Sequence, residues 1–221
     1  MPDPIKRPDD RRRYHSPRRM EQAAATRQDV LAAARDLFVS HGYTATTVTQ
    51  IARQAGVSLD TVYATVGRKP AILRELVETA ISGSDHAIPG EQRDYVSQMR
   101  AAGSAEAKLR IYADAITGIQ QRLAPVFLAL RAAAATDPGC AALWDQIAQR
   151  RATNMRALTA DLRTTGQLRG DLSNDQVADI IWTMNAAEYW DLLVHQRGWT
   201  PTQFAHWLTD AWTRLLLQAH P

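Results

Sequence analysis

The chain has 221 residues, 45% of them apolar, which is enough for one ordinary domain or a small domain joined to a larger one. No run approaches the roughly 18 apolar residues of a membrane span, no apolar segment follows the amino-terminal arginines as a signal peptide requires, and the single Cys140 excludes an internal disulfide or a cysteine-based metal site within one chain. The net charge of +3 is uneven: residues 1–80 carry 13 Lys/Arg against 9 Asp/Glu and the remainder 13 against 14, so the surplus at the front suits a polyanionic partner. The expected setting is the cytoplasm, with no membrane contact.

Residues 1–19 are dense in proline and charge with little to bury, and read as a disordered basic arm. Such an arm either follows a phosphate backbone or reaches a minor groove, or is simply a solvated tail. From residue 20 to 41 the positions Val30, Leu31, Ala34, Leu37 and Phe38 share one helical face, with Gly42 just past the end. The stretch 47–66 reads as two short helices around a tight turn. Thr47-x-x-Gln50 is a capping-box pattern, and Val48, Ile51, Ala52 and Ala55 follow at helical spacing. Gly56 allows the positive φ of a sharp turn, Ser58 caps a second helix, and Val62 and Val66 turn inward. This is a helix-turn-helix, whose second helix can enter a DNA major groove. A linking helix over 70–81 opens with Pro70 and continues the same core through Ile72, Leu73, Leu76, Val77, Ala80 and Ile81, so the DNA-reading domain spans 20–81.

The order Thr46-Thr47-Val48, Ile51-Ala52, Ala55-Gly56-Val57-Ser58, Val62-Tyr63 and Lys69 resembles the DNA-binding domain of the tetracycline-repressor (TetR) family of bacterial regulators. One departure is Val66, where that family usually has an aromatic residue; looser packing near Gly67 is expected, away from the DNA-facing surface.

Residues 82–93 form a turn-rich break, and 94–221 contain only helical patterns, so the fold class is all-α. A short helix is expected at 95–100, a second carrying Leu109, Tyr112, Ala113, Ile116 and Ile119, and a third after Pro125 carrying Val126, Phe127, Leu130 and Ala133. A long one runs over 139–165, closed by Gly166. Two more are expected at 174–197 and 201–218, the last opened by Thr200-x-x-Gln203. The span 174–218 that holds these two contains five of the six tryptophans. With Trp190, Leu193, Trp207, Trp212 and Leu215 they carry more apolar surface than an internal stripe needs, so they are expected to pair with their copies across a twofold axis, as the resemblance also implies; the alternative is a large monomeric core. A homodimer sets two reader helices about 34–36 Å apart, one turn of duplex.

Phosphate contacts are expected from helix-start amides, the hydroxyls of Thr46, Thr47, Ser58 and Tyr63, and the charges of Lys69, Arg27 and Arg68. Leu59, Asp60, Thr61, Ala64 and Thr65 face base edges. Asp60 either accepts from a cytosine amine or caps its own helix. With no arginine or glutamine on that face, sequence reading leans on DNA shape and apolar contact.

The resemblance further implies a homodimeric repressor of a palindromic operator, released by a small effector, with a pocket among the middle helices. Tyr112, Phe127, Trp144, Met155, Trp182, Asn185, Glu188 and Tyr189 are the lining candidates, suiting an apolar or aromatic compound with polar handles at Asn185, Glu188 or His195. No cofactor and no metal are expected. The rival readings are a helical interaction module without DNA activity and an all-helical hydrolase; the second lacks a His-x-x-x-His pair, a Gly-rich phosphate loop and a Gly-x-Ser-x-Gly elbow.

Overall fold

The computed structural model describes residues 17–84 and 88–218. Its front is four helices: α1 (Pro17–His41), α2 (Val48–Gln54), α3 (Leu59–Thr65) and α4 (Lys69–Ser82). Phe38 and Val30 of α1, Ile51 of α2, Val62 of α3 and Ile72, Leu73 and Val77 of α4 are fully buried in one cluster, which holds the two short helices rigidly against the long ones. Each short helix also has its own start signal. The Thr47 hydroxyl accepts from the Gln50 amide at 3.2 Å while the Gln50 side chain accepts from the Thr47 amide at 2.7 Å, and the Ser58 hydroxyl accepts from the Thr61 amide at 3.1 Å. Such caps stabilise a helix by about 1 kcal/mol each, a large share for seven-residue helices. Between them Gly56 sits at φ +69°, in the left-handed region that the turn demands.

Val66 is half-buried against the same core, and Gly67 beside it has φ +109°. Most of the expected arm, residues 1–16, lies outside the described residues, but α1 already starts at Pro17, three residues before the expected boundary.

The rear is built around α6 (Ala105–Ala134), which packs against α1, α4, α5 (Asp94–Ala101), α7 (Pro138–Arg163), α9 (Ala187–Trp190) and α10 (Pro201–Leu216). Two sequence expectations are corrected here. Pro125 does not start a new helix: α6 runs through it unbroken. The proline costs one backbone hydrogen bond to residue 121, which lies on the exposed side, while Ala124, Val126 and Phe127 stay buried and hold the register. The span 174–197 is not one helix either. α8 (Asn174–Met184) ends at Asn185, the chain restarts as α9, and residues Asp191–Gln196 continue as a π-helix.

The buried Lys108 is tolerated because its ammonium donates to the Met99 carbonyl and pairs with Asp161, both at 2.8 Å, tying α5 and α7 to α6. The end of α10 is fixed by an isolated bridge between Leu168 and Leu217. Among the described residues no helix is long and apolar enough to cross a membrane.

Candidate nucleic-acid interface and adjoining cavity

α3 presents Leu59, Asp60, Tyr63 and Ala64 to solvent, while Thr61 and Thr65 are half-buried. Tyr63 is 46% exposed and stands clear of the core. Asp60 is exposed in the first turn, where a carboxylate suits the helix dipole, but the cap itself is Ser58. Thr61 Oγ1 lies 2.7 Å from Ser58 Oγ, and Thr65 Oγ1 donates to the Thr61 carbonyl at 2.7 Å. Those hydroxyls are therefore engaged locally, leaving mainly methyl and apolar surface outward.

Thr46 is a correction. It is 2% exposed, and its hydroxyl donates to the Gly42 and Leu37 carbonyls at 2.9 and 3.2 Å, so it closes the loop after α1 and has no proton left for a phosphate. Thr47 and Ser58 are exposed, although each hydroxyl serves as a cap. Arg27 pairs with Glu75 and braces α1 against α4, whereas Arg68 is exposed at the start of α4. Lys69 is half-buried, with its ammonium 4.1 Å from the centre of the Tyr43 ring and 3.5 Å from the Thr44 carbonyl. Burial holds its pKa below the usual lysine range, while Cys140 and Asp137 at the start of α7 pull the other way. Tyr43 is pushed well up by burial, with the Cys140 side chain as its hydrogen-bond partner. The start of α7 thus rests on the loop that feeds the reader helices.

A cavity of about 640 Å³ opens behind them, walled by α4, the segment 88–93, α5, α6, α7 and Asn185. Of the expected lining residues it receives Tyr112, Met155 and Asn185; Phe127, Trp144, Trp182, Glu188 and Tyr189 lie outside it. Each of the five has a packing reason. Phe127 stacks on Trp144 at 4.5 Å between α6 and α7, Tyr189 stacks on Trp207 at 5.7 Å, and Glu188 pairs with Arg131. Trp182 lies 4.9 Å beneath the Arg151 guanidinium. His195, also considered a handle, is exposed beside Asp191. Inside the cavity Asn185 donates to the Tyr112 hydroxyl at 2.8 Å, and burial raises the pKa of that phenol strongly.

Residues not anticipated from sequence include Gln120, Arg93, Arg100, Arg150 and Arg151, together with Ile81 and Glu78 of α4. A signal for Arg151 existed: it stands four residues after Ile147 and four before Met155, on the inward stripe of α7.

Trp190 and Trp212, expected at a twofold interface, are instead consumed by the protomer's own core. Trp212 stacks on Tyr112 at 5.6 Å and Trp190 meets Phe204 edge-on at 5.2 Å. Leu193 and Trp207 are half-buried; Leu215, and Leu192 beside them, are exposed. Among the described residues no group of His, Cys, Asp or Glu is placed to hold a metal ion.

A capped helix-turn-helix locked to a larger helical domain through a shared α4 is the architecture of a DNA-binding transcription regulator. Residues 30–76 match the family described as bacterial regulatory proteins, tetR family. No curated protein matches the chain by sequence. Solved structures share the fold over most of its length. The fatty acid degradation regulator FadR from Bacillus halodurans is 18% identical with TM-score 0.67, the match covering 85% of this chain and 94% of that one. NalD of Pseudomonas aeruginosa, the secondary repressor of the MexAB-OprM multidrug efflux pump, is 20% identical with TM-score 0.65, covering 90% and 100%. A protein from Saccharomonospora viridis described as a transcriptional regulator, in complex with choline, is 17% identical with TM-score 0.65, covering 89% and 100%.

Proposed function

We propose that the chain is a homodimeric repressor that holds a palindromic operator through α3 of each copy and lets go when a small molecule fills the cavity. The observation that carries this reading is the double role of α4. Ile72, Leu73 and Val77 are buried with the reader helices, while Glu78 and Ile81 one turn further on line the cavity. Three polar ties fix its position against α6 and α7: Arg74 to Gln146 at 2.6 Å, Glu78 to Arg150 at 2.8 Å, and the Ala80 carbonyl to Arg122 at 3.1 Å. A ligand that fits only a shifted α4 lowers DNA affinity, and DNA lowers ligand affinity by the same factor. On the DNA side Tyr63 and Arg68 meet phosphates, Thr47 and Ser58 border them, and the Leu59, Ala64 and Thr65 surface lies against base edges. The dimer face is the outer side of α10 with the π-helical segment, where Leu193 and Trp207 are half-buried and Leu192 and Leu215 exposed.

Salt-dependent binding of Tyr63→Phe and Arg68→Ala to a selected duplex tests the reading. Both variants are expected to bind all sequences more weakly, and only Arg68→Ala should flatten the salt dependence, by about one unit of slope. Wild-type-like binding by both would remove α3 and the start of α4 from the interface.

A further inference from the structure

We propose that the cavity takes an amphipathic organic carboxylate, its charged end seated on Arg151 and its aliphatic body lying along Ile81, Ile116, Ile119 and Leu123. This rests on the cavity being the effector site. Arg151 comes off the inward stripe of α7, between Ile147 and Met155, and is held in place from two sides. Its Nη2 donates to the Trp182 carbonyl at 2.9 Å and to Asn185 Oδ1 at 2.5 Å, and its plane lies over the Trp182 ring. Asn185 is in turn fixed by its donation to the Tyr112 hydroxyl and by Gln120, whose Nε2 donates to the Asn185 carbonyl at 2.5 Å. The guanidinium is thus oriented in advance, yet no carboxylate among the described residues pairs with it, and its Nε and Nη1 make no hydrogen bond there.

Even half-buried, a cation without a counter-ion carries a desolvation cost. Burial accordingly depresses its pKa, and Glu188, the acid that acts on it, is itself paired with Arg131. A ligand carboxylate would supply the missing charge and accept from the Nε–H or Nη1–H that the guanidinium leaves open.

The rest of the wall has the same sign. Arg93, Arg100 and Arg150 line it beside Arg151, against Glu78 and Glu91, and Glu78 is already paired with Arg150. A quaternary ammonium needs aromatic faces free of competing cations. Here Tyr112 is stacked on Trp212, and the guanidinium stands at the same end of the cavity, so this wall is built for the opposite charge. The volume lies in the range of sites that enclose a whole small ligand, and the aliphatic residues named above give it an apolar length.

Calorimetry of the full-length protein with three chains of equal length, decanoate, 1-decanol and decyltrimethylammonium, separates the cases. Decanoate is expected to bind at least about tenfold tighter than decanol, with the ammonium weakest, and Arg151→Gln should erase the preference while leaving decanol affinity nearly unchanged. Arg151→Lys, which keeps the charge and loses the planar guanidinium that Trp182 and Asn185 orient, should fall between; circular dichroism verifies that both variants fold. The ranking of the three probes on the unmutated protein stands even if a variant does not fold. Equal or tighter binding of decanol or of the ammonium, or no binding of any probe, would overturn the inference. None of these results touches the DNA-binding reading, which the duplex titrations test separately.

Discussion

The hydroxyl of Thr46 shows how one buried atom separates positioning from contact. It bridges the Leu37 and Gly42 carbonyls at the end of α1, so it sets where α2 begins rather than what α2 touches. Thr46→Val keeps the shape and removes both bonds, and is expected to lower stability by about 1–2 kcal/mol in denaturant titration. DNA affinity per folded molecule should be unchanged; a phosphate donor would show the reverse pattern. The neighbouring pair Thr46-Thr47 looks alike in sequence, and the capping-box spacing identified Thr47 correctly as the cap. What spacing does not show is that the first threonine lies under the loop. Arg151 is the complementary case: its register on the inward stripe was readable, but a long cationic side chain usually reaches back to solvent, and only the packing of Trp182 and Asn185 shows that this one stays.

Among the elements, α4 carries the coupling, and its far end is the most constrained part. Gly83 closes it at φ +70°, and a β-carbon there would lie 2.9 Å from Arg122 Nη2. Arg122 is the side chain that binds the Ala80 carbonyl, so Gly83→Ala combines backbone strain with displacement of a tie to α6. A loss of about 1–2 kcal/mol is expected, seen as a lower Tm. Gly118→Ala is the contrast. That glycine is inside α6, where the added carbon finds its nearest neighbour, Arg122 Nη1, at 3.8 Å, and the change should stabilise by about 0.5–1 kcal/mol. Equal effects at the two sites would deny Gly83 its special geometry.

The front helices were legible in sequence because each has local start and stop signals. The rear was less so, since Pro125 is a stop signal that the packing of Ala124, Val126 and Phe127 overrides, and α8 ends at Asn185 with no glycine or proline to mark the break.

For the whole molecule, the surplus of large apolar residues from α8 to α10 divides into two uses. Trp190, Trp212 and Phe204 complete the protomer, and Leu192, Leu193, Trp207 and Leu215 are left half-buried or exposed. Sequence composition gave the total and not the division, because facing inward or outward on α10 depends on where α6 lies. If that outer face joins two copies, Leu215→Asp should weaken association by placing a charge in it, and DNA affinity should fall with it since one α3 reaches only half a site. The most direct measurement of the central claim is the mass, by sedimentation equilibrium at low salt, of the protein mixed with duplexes selected from random-sequence DNA. Two chains per duplex, reduced by Leu215→Asp, are predicted; a single subunit that leaves every duplex unbound would contradict the account.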